Sequence, residues 1–460
     1  MNNKNPVGPD MDIRSLIQHR PTVWRQYMLL AVLLLALIID GLDLQLLSLV
    51  SPLLISEWGV SKAALGPAMS AAVFGMSVGA FFGGWLGDRF GRRRVLIVAM
   101  LLFGVATGVA SRSPDLTTLT ALRVIGGLGF GAAAPNAVTL VSEWLGGALR
   151  LRAISWMSIG TPLGGLIGAI ILIGYLSELG WRGSFVLCGV LTLCAALLVM
   201  IAVPESPSTL LRRGREAKLA AILHRWFGVE AGSAAETGAN TGPAAAPFAP
   251  AEPPPVTARF VVGTGLGFFC ASFVAYGCGA WLPVMVTMNG LPVELGLQAA
   301  VSFNLCAVAV AILAGLLAPR WGTKTMMAVA TGVTALAIAM LLLTLGPLRV
   351  EGWFASRLPL LLAAGMAGGG TGTVLASLYM VLTTGYPAAN RSSGVGLGMM
   401  LGRGGGIAST FSGGYLLGSA PSASWPFFVA AGMGVLGAAA ALVMIDRHVV
   451  RVPFSRGAAA

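Results

Sequence analysis

Residues 27–50 read YMLLAVLLLALIIDGLDLQLLSLV. As a helix this run is long enough to cross the ~30 Å hydrocarbon core of a bilayer. Two carboxyls stand inside it, Asp40 and Asp43. An ionisable group at that depth costs at least ~2.5–3.5 kcal/mol on insertion scales, so it marks an ion or substrate path. Their spacing of three puts both acids on one helix face. Like charges so close disfavour double ionisation, and one of the two is expected to hold a proton at neutral pH. The reading is a membrane protein with a proton-carrying pair in its first span. The run is too long for a cleavable leader and follows a polar stretch, so it is expected to stay as a signal anchor.

The rest of the chain agrees with this start. Apolar residues make up 56% and charged residues 10% of the 460. An ordinary soluble enzyme carries about 25% charge, which excludes that class. Further apolar runs lie near 64–84, 94–111, 116–139, 151–175, 184–203, 260–284, 297–317, 325–345, 358–381, 393–417 and 426–445. The expected fold is therefore an all-α membrane protein with twelve transmembrane helices. A single long polar stretch, 204–258, contains EAGSAAETGANTGPAAAPFAPAEPPP, too rich in Ala, Gly and Pro to build a core. It divides the chain into a cytoplasmic N-terminus (1–26), a six-helix bundle (27–203), a largely disordered linker (204–258), a second six-helix bundle (259–446) and a C-terminal tail (447–460).

The net charge of +12 is distributed by topology rather than for nucleic acid. With the N-terminus inside and strict alternation, the 29 Lys and Arg divide into 22 inside, 5 outside and 2 within spans. This asymmetry follows the positive-inside rule and places both termini in the cytoplasm. The five cysteines all lie in apolar spans, without metal-ligand spacing, and the three histidines lie outside the spans. No metal, cofactor or disulfide is expected. The spans hold no Ser/His or Cys/His arrangement, so enzymatic chemistry is not expected either.

The two halves are related. GWLGDRFG at 84–91 aligns without gaps on GLLAPRWG at 315–322, an offset of 231 that also carries Pro52 onto Pro283 and Gly59 onto Gly290. Duplicated transporters of this kind place the substrate near the membrane midplane, between rocking halves. At the same offset Asp40 and Asp43 fall on Ala271 and Val274, so proton chemistry is expected in the N-terminal half. Glycines recur every four residues at Gly75, Gly79 and Gly83, at Gly160, Gly164 and Gly168, and at Gly394, Gly398, Gly402 and Gly406. Such stripes admit close helix approach, as static packing or as a sliding surface.

The loop GDRFGRRR, Gly87 to Arg94, resembles the signature loop of the major facilitator superfamily. Asp88 faces the same side as the start of the eleventh span, where a helix dipole favours an anion. Arg92 and Arg93 are placed to reach Glu143 at the end of the fourth span. Asp88, Arg89, Arg92, Arg93, Glu143 and Arg391 are accordingly read as a cytoplasmic gate. Within the superfamily, DGLD (40–43), LRVIGGLGFGAAAPNAVTLVSE (122–143), GWRGSF (180–185), PESP (204–207), WLP (281–283) and GYPAANRSSGVGLGMMLGRGG (385–405) resemble the aromatic acid:H⁺ symporter family. The resemblance covers about residues 25–445. Leu42 departs from the aromatic usual between the aspartates, and Pro319 stands where Asp88 has its counterpart.

Two basic residues lie within spans, Arg123 and Arg403. They balance Asp40 and Asp43. Arg123 shares their bundle and is their natural ion-pair partner. Arg403 is about ten residues into its span, or ~15 Å by helix rise, near mid-membrane. A guanidinium there suits two-pronged capture of a carboxylate. Asn136, Tyr276, Trp281, Asn304 and Tyr379 are candidates to line the cavity, with packing or interface anchoring as the alternative. The expected function is uptake of a small organic anion, an aromatic or related carboxylate, by proton-coupled symport through a monomer in a bacterial inner membrane. Two alternatives stay open. One is an efflux antiporter, since GTPLGG (160–165) approximates an antiporter pattern; the other is a symporter of a sugar or aliphatic acid.

Overall fold

In the computed structural model, residues 23–227, 256–345, 357–386, 391–418 and 424–446 are described. All regular structure among them is helical. The first half contains α1 (Trp24–Trp58), α2 (Lys62–Phe90), α3 (Arg92–Ala110), α4 (Leu116–Trp144), α5 (147–179) and α6 (181–202). Two short helices follow, α7 (Pro207–Arg212) and α8 (Glu216–Phe227). The second half contains α9 (Ala258–Met288), α10 (293–321), α11 (323–345), α12 (Arg357–Gly385), α13 (Arg391–Gly418) and α14 (Trp425–Met444). Helices α5 and α6 run on as one except at Gly180, and α10 and α11 except at Gly322. Twelve helices, α1–α6 and α9–α14, thus correspond to the twelve apolar runs. The first spans 35 residues, longer than its apolar stretch, because the helix continues through polar ends on either side.

The duplication is visible in the backbone. Pro52 and Pro283 lie inside the matched helices α1 and α9. Gly59 and Gly290, which end those helices, take φ of 61° and 72°. Gly91 and Gly322, in the matched loops, take 99° and 74°. Glycine alone holds such angles without steric cost, so the repeat keeps it at both turns. After Gly59, Ser61 caps α2 by accepting from the Ala64 amide at 3.2 Å. Asp115 caps α4 in the same way, accepting from Thr118 at 2.7 Å, and these amide bonds hold its carboxyl below the ordinary carboxylate range.

Two faces follow from this alternation. The turn face carries Gly59, Asp115, Gly180 and Gly290. The basic face carries Arg89, Arg92, Arg93, Arg94, Arg212 and Arg213. Near the turn face one apolar core joins both halves, from Leu46, Val50 and Leu65 to Trp281, Leu297 and Phe427. Toward the basic face the core divides. Leu33, Leu96, Leu140 and Trp144 belong to a cluster of the first half, and Phe260, Phe268, Met327 and Leu378 to a separate cluster of the second. The halves are sealed at the turn face and part toward the basic face. At the seal their backbones touch: a methyl on Gly66 would lie 2.4 Å from the Phe411 carbonyl oxygen.

The glycine stripes serve packing inside each half. Methyls at Gly75 and Gly79 would meet carbonyls of α4, and one at Gly164 would meet the Ile38 carbonyl of α1. Gly402 and Gly406 pack on Phe268, Ser272 and Tyr276 of α9. These contacts bind helices of one half together rather than forming a surface between halves.

The segment after α6 departs from the expected disordered linker in its first part. Residues 207–227 form α7 and α8. Leu219 and Leu223 bury into the first-half core, the Trp226 ring lies tilted against Trp144 with centres 4.7 Å apart, and Arg25 donates to the Arg225 carbonyl at 2.6 Å. The apolar spacing of LAAILHRWF gives one face for this docking. Residues 228–255 lie outside the described residues.

Candidate functional site

Asp40 and Asp43 both point into the first half and are 1% and 3% exposed. They differ in their partners. Arg123 of α4, itself 1% exposed, donates to Asp43 with both terminal nitrogens, at 2.8 and 3.3 Å. Its Nη2 also donates to Thr107 of α3 at 2.9 Å, and its guanidinium lies 4.9 Å from the centre of the Phe185 ring. Both carboxylate oxygens and one guanidinium edge are thereby satisfied, the arrangement a buried charge pair requires. The Asp40 carboxyl has no hydrogen-bond partner among the described residues. An ionised carboxylate without a partner is costly in an apolar interior, whereas a neutral acid is tolerated. One acid is therefore committed to an arginine and the other has no hydrogen-bond partner among the described residues.

On the opposite half, Arg403 of α13 is partly exposed. Its charge is within electrostatic reach of the Tyr276 and Tyr379 hydroxyls. Tyr276 packs on Gly406, one turn from Arg403, and Tyr379 meets Phe268 edge-on at 4.9 Å. Tyr379 is 40% exposed. These three second-half side chains, a cation and two aromatics, are each at least partly exposed. A guanidinium beside such rings binds a planar carboxylate and stacks its ring.

Three predicted cavity residues are engaged in contacts between helices. Trp281 is fully buried, and its indole N–H donates to the Thr410 carbonyl at 3.1 Å, so it packs α9 on α13 instead of facing the cavity. Asn136 is buried, and its Nδ2 donates to Gly83 and Ala132 carbonyls, which ties α4 to α2. Asn304 is buried against Gln45 of the other half, and the two amides exchange hydrogen bonds of 2.8 and 2.9 Å. Gln45 carries no motif, so nothing in the sequence singles it out.

The basic-face residues form a network within the first half. Arg92 bridges Asp88 and Glu143, at 3.1 Å to each. Glu143 also accepts from Ser206 and, at 2.9 Å, from Ser208. Arg93 does not pair with Glu143 as the sequence predicts; its side chain donates to the Met200 carbonyl, and its backbone N–H to Glu205 at 3.0 Å. Glu205 of the PESP segment thus seats an anion at the N-terminus of α3, where the helix dipole favours it. Its carboxylate lies so near Gly91 that a methyl there would sit 2.7 Å from it. Arg212 of α7 and Arg213, which caps its C-terminus, donate to the carbonyls of Asp88 and Arg89. The Arg89 guanidinium lies over Trp85 and Phe90, 5.6 Å from each ring centre. The side chain of Arg391 lies outside the described residues.

A family model described as the Major Facilitator Superfamily matches residues 33–380. The chain is 32% identical to the 4-hydroxybenzoate transporter PcaK of Pseudomonas putida, over 90% of this chain and 91% of that one. It is 30% identical to the gallate transporter of Pseudomonas putida, over 90% of each. Among solved structures, the inward open conformation of the xylose transporter XylE from E. coli aligns with a TM-score of 0.71 at 18% identity, covering 92% of this chain and 96% of that one. At that identity the likeness concerns the fold.

Proposed function

The chain belongs to the Major Facilitator Superfamily, and on that premise we propose that it imports an aromatic carboxylate together with a proton. The observation that carries this reading is Asp40, buried with no hydrogen-bond partner among the described residues beside the Asp43–Arg123 pair. Asp40 is the proton carrier. Asp43 is held by Arg123 and keeps the local charge balanced while Asp40 titrates. Arg403 takes the substrate carboxylate, with Tyr276 and Tyr379 against the ring. The similarity to 4-hydroxybenzoate and gallate transporters supports the substrate class.

The basic face is the cytoplasmic face, because the Lys and Arg excess lies there. The described conformation then opens inward, the membrane is a bacterial inner membrane, and a monomer suffices. In the outward-facing state Asp40 takes a proton and Arg403 takes the anion. The halves rock, and the lower proton activity inside releases both. One proton with one monoanion makes the cycle electroneutral. The Asp88–Arg92–Glu143 chain, with Arg89 and Arg93, stiffens the first half at the cytoplasmic gate.

Uptake of radiolabelled 4-hydroxybenzoate into proteoliposomes under an inward proton gradient tests the reading. Accumulation that collapses with a protonophore is expected. Movement out of the cell in intact cells, against the same gradient, would establish an exporter instead.

A further inference from the structure

Gln45 of α1 and Asn304 of α10 meet across the two halves. Gln45 Nε2 donates to Asn304 Oδ1 at 2.8 Å, and Asn304 Nδ2 returns a bond to Gln45 Oε1 at 2.9 Å and one to the Ala300 carbonyl. Nearer the turn face, Ser48 seals α1 to α9 through the carbonyls of Gly279 and Ala280. The amide pair is thus the first polar layer beneath the seal, and Gln45 is partly exposed. Its depth relative to Arg403 follows from packing. Leu44 of the first half and Tyr276 and Ile407 of the second pack against one apolar cluster. Arg403 precedes Ile407 by four residues, about 6 Å of helix rise toward the basic face. Gln45 is one residue beyond Leu44 in the other direction. Counted by backbone rise from that cluster, the Arg403 and Gln45 positions are set apart by about 7–8 Å, the order of a benzene ring with substituents at both ends.

We propose that Gln45 and Asn304 read a hydroxyl on the substrate ring, opposite the Arg403 end that takes the carboxylate. This rests on the reading that the protein carries aromatic carboxylates. When the turn face opens, α1 and α10 separate there, and each amide loses a donor and an acceptor. A ring hydroxyl is both donor and acceptor and replaces the missing partner. A bare ring edge does neither and leaves buried amides unmet, which is how a site built for a hydroxyl rejects an analogue lacking it.

The test compares affinities of purified, lipid-reconstituted protein for 4-hydroxybenzoate and for benzoate. The wild-type protein should prefer the hydroxylated acid by about tenfold or more. In Gln45→Leu and in the milder Asn304→Ser the ratio should fall to ~3 or below, through loss of hydroxybenzoate affinity. A pair that served only as a clasp would move both acids together, and an unchanged ratio in folded variants overturns the proposal. So does a wild-type protein that binds both acids equally. A wild-type protein that binds neither acid removes the aromatic-carboxylate reading itself, an outcome distinct from an altered ratio.

Discussion

Replacing Asp43 by Asn should cost far more stability than replacing Asp40 by Asn. In Asp43→Asn the Arg123 charge stays in place, 1% exposed, with the Thr107 hydroxyl and the Phe185 face as its remaining partners. Removing one member of a buried pair costs about 3–5 kcal/mol, because the other charge is left uncompensated. In Asp40→Asn no described hydrogen bond is lost, since the carboxyl has no partner among the described residues, and the change should stay near ~1 kcal/mol. Thermal unfolding of both variants in one detergent, followed by tryptophan fluorescence, measures the contrast. Replacing both members, as Asp43→Leu with Arg123→Met, should recover much of the loss, since apolar residues of similar volume often match a buried pair. Equal unfolding temperatures for Asp43→Asn and Asp40→Asn would refute the partner assignment. So would a double replacement no more stable than Asp43→Asn.

Arg403→Ala should abolish measurable binding of acids at neutral pH. The loss of a charge-assisted pair away from water costs ~2–5 kcal/mol, or about 30-fold and upward in affinity. Arg403→Lys should also weaken binding, because a point charge lacks the planar fork; calorimetry checks both. Glu143→Gln should slow transport while changing substrate affinity by no more than ~5-fold, because it breaks the Arg92 bridge at the basic face and not the cavity wall. Initial uptake rates against substrate concentration separate the two effects. Deleting residues 232–254 should leave uptake near wild type, because their composition builds no core, whereas disrupting the docked α8 by Leu219→Asp and Leu223→Asp should not. Uptake normalised to protein in the membrane decides between them.

Apolar runs, charge asymmetry and the 231-residue offset made the twelve helices and their pairing readable, because each is a local or periodic property of the chain. Arg123 could be assigned to the aspartates by counting charges in one bundle. Which aspartate it takes depends on the rotation of α1, and α1 is held against α5 by the close packing of Gly41 on Thr161 and Gly164 on Ile38. Gln45 was invisible for a related reason: a lone amide in an apolar run acquires meaning only when Asn304 is placed opposite it. Trp281 and Asn136 looked like cavity residues by type, yet close helix contacts turned both inward. At 207–227 the Leu219 and Leu223 face is short and lies beside a long Ala, Gly and Pro tract that dominates composition, which hides its helices in the sequence.

The central claim is that Asp40 carries the coupled proton, and Asp40→Asn in proteoliposomes tests it most directly. The amide mimics the protonated acid in shape and charge. The variant should therefore still exchange labelled for unlabelled 4-hydroxybenzoate across the membrane, with no gradient imposed. It should fail to accumulate the acid when an inward proton gradient is applied. Gradient-driven accumulation by Asp40→Asn at the wild-type level would contradict the account.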